Sequence, residues 1–252
     1  IKALNREAKK QNKNHGIIIM VDVGDLREGV LPENLDNLIG EVINLENIDI
    51  KGIGTNVGCY GGVLPTPKNT KILVKLKNEI EAKYQIKLSL ISGGNTATTR
   101  LLKDGTLPQG ISNFRVGEAI LLGTDITNNR VIEGLNPDNF TLSAQIIELK
   151  EKPSVPSGEI GQDAFGNKPE FEDKGRRKRA ILAVGRQDVK INGLNPQDKG
   201  AEILGASSDH LLVDITDVER GLNIGDEMEF QLDYGAMLSL MTSPYIKKNY
   251  IK

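Results

Sequence analysis

Two short runs in this chain carry residue types that hold an anion. The first is SGGNTATT at residues 92–99, which follows an apolar stretch and opens a helical one. Glycines there let an anion approach backbone N–H groups that lack a partner at a helix start. The second is NFRVGEAILLG at residues 113–123, in which Arg115 precedes Gly117 and an apolar run. A second strand end thus offers bare amides beside a fixed positive charge. Two such mouths side by side imply a phosphorylated cofactor with a polar ring. Plainer readings stay open, with Thr96 as an ordinary N-cap and Glu118 pairing with Arg115 and neutralising it.

Other constellations follow strand-like runs. DVGDLREG at residues 22–29 comes directly after an apolar run, and α/β folds place chemistry at the C-terminal mouth of such strands. Arg27 suits a carboxylate or a ring oxygen through its planar fork; the alternative is a solvated loop with a surface salt bridge. GTNVGCYG at 54–61 brings Asn56, the phenol of Tyr60 and the lone Cys59. The histidines available to activate that thiol are His15 and His210, so Cys59 reads as a small buried apolar residue. RRKR at 176–179 enters a strand without interleaved aromatics. It reads as a solvated edge that discourages strand addition, with a nucleic-acid surface as the lesser reading. SSDH at 207–210 holds triad residue types, yet neighbours in a strand point to opposite faces, which sets Asp209 and His210 apart.

Strands and helices must position these loops. Residues 1–13 read as an amphipathic helix with Leu4 and Ala8 on its apolar side, stopped at Asn14, His15 and Gly16. A helix with no strand before it leads us to expect that the chain starts inside a domain. Residues 17–21 form a continuous apolar run, the mark of a strand buried on both faces. Helical spacing at 35–45 and 70–84 alternates with strands at 48–53 and 87–91, then a short helix at 96–103 and a brief strand at 114–116. This alternation implies a parallel sheet, either half of an eight-stranded barrel or a small open sheet. From Phe140 onward the pattern becomes strands at 140–149, 179–185, 201–204, 211–215 and 227–232, with no helix of ordinary length between them. Residues 1–137 and 138–252 are therefore expected as two domains, the second mostly antiparallel. The turn-rich segment 152–174 is too long for an idle connection.

Composition narrows the classes. With 252 residues and a net charge of −2, bulk electrostatics argue against a nucleic-acid or anionic-membrane partner. No run approaches the roughly twenty apolar residues that a membrane span needs. A single cysteine suits a reducing cytoplasm, and no metal site is assigned.

The ordered set VDVGDLREG, IKGIGTN, SGGNTATT, NFRVGEAILLG and GASSDHLLVDIT resembles the alanine racemase-like pyridoxal-phosphate enzymes, and looks closest to their ornithine racemase branch. The resemblance implies an α/β plus β fold, a (β/α)8 TIM-type barrel (N-terminally incomplete here) followed by a C-terminal β-rich domain. It implies a head-to-tail homodimer and pyridoxal 5'-phosphate as cofactor. Arg115 matches the arginine that faces the pyridine nitrogen; Asn95 and Thr96 fall on the phosphate loop, and Gly117 with Glu118 on the second set of phosphate donors. Arg27 falls on the arginine near the cofactor phenolic oxygen and the substrate carboxylate. Tyr245 lies near the C-terminal phosphate-binding tyrosine, and Asp209 matches an aspartate whose loop approaches the substrate carboxylate, with Ser208 in place of the usual methionine.

Departures from the family pattern are as informative. Met20 stands where many members carry a carbamylated lysine that supports the arginine, and Asn56 replaces the histidine beneath the cofactor ring. The region of the second catalytic base has no tyrosine, and Asp163 is the candidate there, a partly desolvated carboxylate with a raised pKa. The Schiff-base lysine is expected upstream, on further N-terminal residues of the native product. The activity implied is two-base α-proton exchange through an external aldimine on a small amino acid, with ornithine first. The rival reading is a non-catalytic pyridoxal-phosphate carrier, which would lack the second domain; a phosphate-sugar barrel enzyme ranks last.

Overall fold

Isoleucines at strand spacing set the frame of the first sheet. In the computed structural model, which describes residues 1–251, β1 (His15–Met20), β2 (Ile48–Gly54) and β3 (Leu90–Ser92) pair in parallel in that order. Parallel neighbours need crossover connections, supplied by α2 (Leu35–Val42) and α3 (Pro67–Tyr84), while α1 (Lys2–Lys10) precedes β1. The start of α3 is fixed by a reciprocal cap between Thr66 and Asn69 and by Pro67 at the first helical position. Ile19, Ile53 and Ile91 of the strands pack with Leu35, Ile39 and Leu73 of the helices. At Gly52 a Cβ would lie 2.1 Å from the Leu90 carbonyl oxygen, so only glycine lets β2 and β3 approach this closely.

Within the described residues Ile19 of β1 is 4% exposed and Ile18, on the other face, 39%. Several expectations need correction here. The first helix ends at Lys10, because Asn12 adopts φ 51° and the chain turns before His15 enters the strand. Residues 114–116 are not a strand. Asn113 makes a single parallel bridge to Ser92, and the Arg115 amide then donates to the Gly94 carbonyl (2.8 Å) rather than to a ladder.

Beyond β3 come α4 (Thr99–Lys103), α5 (Glu118–Leu122) and a small hairpin of β4 (Thr124–Asp125) and β5 (Arg130–Val131). The buried Asp125 carboxylate holds that hairpin by accepting from the Asn128 amide and the Arg130 guanidinium. These residues belong to the first of two compact units, Ile1–Leu135; the second begins at Asn136.

The second unit is a six-stranded sheet built from β6 (Thr141–Pro153), β7 (Arg176–Leu182), β8 (Leu194–Pro196), β9 (Glu202–Ala206), β10 (Leu211–Asp214) and β11 (Glu227–Leu232). Its order is β8-β11-β6-β7-β10-β9 and every pairing is antiparallel. Alternation along β6 sends Leu142, Ala144 and Ile146 into a core with Leu182, Leu211 and Phe230. After β11, α6 (Tyr234–Thr242) is capped by the Asp233 carboxylate and buries Ala236, Met237 and Leu240. Among the described residues no helix is long and apolar enough to cross a membrane.

The basic run 176–179 lies on β7, a central strand and not an edge. Its three arginines find partners on neighbouring strands and loops: Arg176 pairs with Glu151 at 2.6 Å, Arg177 with buried Asp214 at 2.8 Å, and Arg179 donates through Nη2 to the Ser154 carbonyl. Burial pushes the Asp214 carboxyl up, but hydrogen bonds from Arg177 and from Thr216 outweigh it and hold the group below its ordinary value. Such a carboxylate contributes stability above its unfolded pKa of about 4, lost as pH falls through the lower folded value. Arg177→Met removes the counter-charge and leaves the burial. Its acid-unfolding midpoint, followed by circular dichroism, is expected at a higher pH than that of the unsubstituted protein; an unchanged midpoint contradicts this role.

Candidate functional site

The carboxyl ends of β1, β2 and β3 lie together, and their loops are stitched before any side chain is considered. The Val21 amide donates to the Gly54 carbonyl at 2.7 Å and the Thr55 amide to the Ser92 carbonyl at 2.9 Å. The buried Thr55 hydroxyl donates to the Val21 carbonyl at 2.7 Å. Arg115 reaches into this seam. Its guanidinium donates to the Ser92 hydroxyl (2.5 Å), the Thr55 carbonyl (2.9 Å) and the Asn56 side-chain oxygen (3.4 Å). The same Asn56 oxygen accepts from Asn95 Nδ2 at 3.1 Å, and Asn95 also donates to the Val57 carbonyl. Thus Asn56, Asn95 and Arg115, expected together, form one hydrogen-bonded network, and sequence reading missed its Ser92 and Thr55 members. Partial burial lowers the Arg115 pKa, with Glu28 opposing and Arg27 reinforcing the shift; an arginine still stays charged.

Two alternatives for this region are settled by geometry. Glu118 does not neutralise Arg115, because its carboxylate accepts from the Thr124 hydroxyl and the Ile126 amide. Thr96 is not the cap. Asn95 caps the turn through the Ala97 amide, while the Thr96 hydroxyl accepts from the Ala119 amide at 3.3 Å and ties the two glycine mouths together.

The loop after β1 folds back on itself, with the Asp22 carboxylate accepting the Gly24 and Leu26 amides. Gly29 is required where Val30 returns to Met20, since its φ is 110° and a Cβ would lie 2.9 Å from the Met20 carbonyl oxygen. The buried Asp25 carboxylate accepts amides of Cys59, Tyr60 and Val63, which clamps the loop after β2 against the loop after β1. Cys59 is consequently exposed rather than buried. Its sulfur lies 2.6 Å from Arg27 Nη1, and the rest of the Arg27 fork is filled by Glu28.

Candidate residues of the second unit gather around Arg186, which sequence reading did not single out. Its guanidinium lies 4.6 Å from the Phe165 ring centre, and its Nε donates to the Ala206 carbonyl. The Arg186 and Gln187 amides donate to the carbonyls of Ser207 and Ser208. Asp163 sits in the turn before Phe165 and accepts the Asn167 and Phe165 amides. Those bonds, the Asn167 amide first, hold its carboxyl below the ordinary range, so the expected upward shift is not found. Residues 207–210 form a turn and not a strand, which lets Asp209 and His210 meet at 3.4 Å. Ser208 and Ser207 donate to Asp209, and the Ser208 hydroxyl is the main reason its carboxyl is lowered. Tyr245 is exposed, with its amide on the Ser243 hydroxyl.

The first-unit mouth fits the phosphorylated ring that the resemblance implies. Among the described residues the amides of Gly94, Asn95 and Gly117 meet no acceptor, and a Cβ at Gly117 would enter open space. Beside Gly94 the buried Thr98 hydroxyl has no partner. This is a donor-rich set beside a guanidinium, the chemistry an anion requires.

The alanine racemase N-terminal domain family matches residues 1–125. The chain is 52% identical to ornithine racemase of Acetoanaerobium sticklandii over 252 residues, covering 100% of this chain and 71% of that protein. It is 47% identical to lysine racemase of Thermotoga maritima over 247 residues, 98% of this chain and 68% of that one. Among solved structures, an alanine racemase from D-cycloserine-producing Streptomyces lavendulae aligns with TM-score 0.63 and 17% identity, over 94% of this chain. An alanine racemase from Bartonella henselae with covalently bound pyridoxal phosphate aligns with TM-score 0.59 and 19% identity, over 96% of this chain. The chain spans 61% and 64% of the lengths of those two solved chains.

Asp25 is the test of how this mouth is built. Asp25→Ala leaves three clamped amides without their acceptor, which costs about 1–3 kcal/mol. Hydrogen exchange should accelerate across residues 59–63, while the α6 amides stay protected; unchanged exchange in the loop contradicts the clamp.

Proposed function

The chain belongs to the alanine racemase family, and on that premise we propose that the whole protein interconverts L- and D-amino acids with pyridoxal 5'-phosphate, with ornithine as the leading substrate. The observation that carries this reading is the Arg115 network at the ends of three parallel strands, flanked by two glycine mouths. The identities with ornithine and lysine racemases support the choice of substrate. The complete (β/α)8 barrel and the head-to-tail dimer are part of the same proposal, drawn from the family resemblance.

When bound, the cofactor withdraws electrons from the substrate α-carbon and makes its proton labile. Arg115 is assigned to the pyridine nitrogen. A guanidinium only donates hydrogen bonds and does not give up its proton, so it keeps that nitrogen an unprotonated acceptor. The amides of Gly94, Asn95, Thr96 and Gly117 are assigned to the phosphate. Asn56, fixed by Arg115 and Asn95, is assigned to the space beneath the ring. Arg27 takes the substrate carboxylate. A carboxyl held low carries a proton poorly near neutral pH, so the turn amides on Asp163 argue against it as the proton carrier of the second face.

The full-length protein reconstituted with pyridoxal 5'-phosphate should show the visible absorption of bound cofactor and bring either enantiomer of ornithine to zero ellipticity. Bound cofactor without loss of ellipticity contradicts the racemase assignment. Arg27→Met should raise the KM for ornithine roughly 10- to 100-fold, more than it lowers kcat, since it removes a charge-assisted hydrogen bond to the substrate. A KM that does not move removes Arg27 from the substrate carboxylate.

A further inference from the structure

The mouth at the strand ends carries one carboxylate that backbone amides of other residues do not lock. Asp22 and Asp25 are each held by loop amides, and Glu118 by the Thr124 hydroxyl and the Ile126 amide. Glu28 instead spans the fork of Arg27, with Nε and Nη2 on its two oxygens. Both side chains reach solvent, at 45% and 37% exposure, so exchanging this pair for another costs little. Arg27 draws the Glu28 carboxyl below its ordinary range, and the charge of Arg115 adds to the effect. Glu28 is therefore ionised and stands in the field of both cations of the mouth.

A carboxylate lying across a guanidinium fork occupies the place an incoming α-carboxylate would take. When substrate takes that place, Glu28 is released beside it with its charge uncompensated. A monoamino acid offers nothing to meet that charge. A diamino acid offers its second ammonium, so the Arg27–Glu28 pair is replaced by an ion pair at each end of the substrate. We infer that Glu28 is the specificity-determining residue of this site, the counter-ion for the distal ammonium of a diamino acid. The inference rests on the reading of the protein as an amino-acid racemase and narrows its substrate class.

The test uses the full-length holoenzyme and compares kcat/KM for ornithine, lysine and norvaline, which has the ornithine carbon chain without the second ammonium. The unsubstituted enzyme should prefer ornithine to norvaline, and Glu28→Gln should reduce that preference roughly 10- to 100-fold, the loss expected for an ionic hydrogen bond. Glu28→Asp keeps the charge but withdraws it by one methylene, and should shift the lysine-to-ornithine ratio toward lysine. If Glu28→Gln loses all activity, this ratio decides alone. Equal losses on ornithine and norvaline in Glu28→Gln overturn the inference and leave Glu28 as a support for Arg27. An unmoved lysine-to-ornithine ratio in Glu28→Asp overturns it as well. An unsubstituted enzyme that takes norvaline as readily as ornithine overturns the inference and leaves the racemase reading intact. One that racemises none of the three overturns the reading itself.

Discussion

Parallel strands that end side by side leave carbonyls and amides of consecutive loops facing one another, and something must satisfy them. In the first unit that task falls to Arg115. Its guanidinium takes the Thr55 carbonyl, the Ser92 hydroxyl and the Asn56 oxygen, all from buried residues. An unpartnered buried acceptor costs about 1–3 kcal/mol, so the geometry of the mouth and the placement of its positive charge have one cause. The network extends through Asn95 to the glycine loop at residues 92–99 and through the Thr96 hydroxyl to the start of α5. An arginine that is both structural tie and electrostatic centre is preorganised before any ligand arrives.

Aspartates set the rim around that centre. Asp25 collects three amides of the loop after β2, and Asp22 shapes the loop after β1. Between them Arg27 is left with its fork on Glu28 and its third nitrogen on the Cys59 sulfur. The second unit uses the same device. Asp214 is buried against Arg177, and Asp163 and Asp209 each gather donors within their own turns while Arg186 links the segments that carry them.

Much of this was legible from residue order alone. Period-2 alternation gives β6 through Leu142, Ala144 and Ile146, and helical spacing gives α2 and α3. The glycine mouths and Arg115 stand out because their residue types have few other uses at a strand end. What stayed hidden depended on which chain segment lies next door. The basic run looked like an edge because its acidic partners, Glu151 and Asp214, are far away in sequence. Cys59 looked buried because the three-amide clamp of Asp25 that turns it outward cannot be seen in a local window. Residues 114–116 have strand composition, yet the Gly94 carbonyl captures the Arg115 amide. Asp209 and His210 meet because a turn cancels the alternation that a strand would impose. The small helix α6 escaped notice because its apolar residues surround it and show no clear face.

The central claim is that the mouth organised by Arg115 holds a phosphorylated pyridine ring. A crystal structure of the full-length protein loaded with pyridoxal 5'-phosphate tests this most directly. The account predicts the phosphate against the amides of Gly94, Asn95 and Gly117, with the ring nitrogen facing the Arg115 guanidinium while Thr55 and Ser92 still hold it. A phosphate bound elsewhere, or a ring nitrogen facing a carboxylate in place of Arg115, would contradict it.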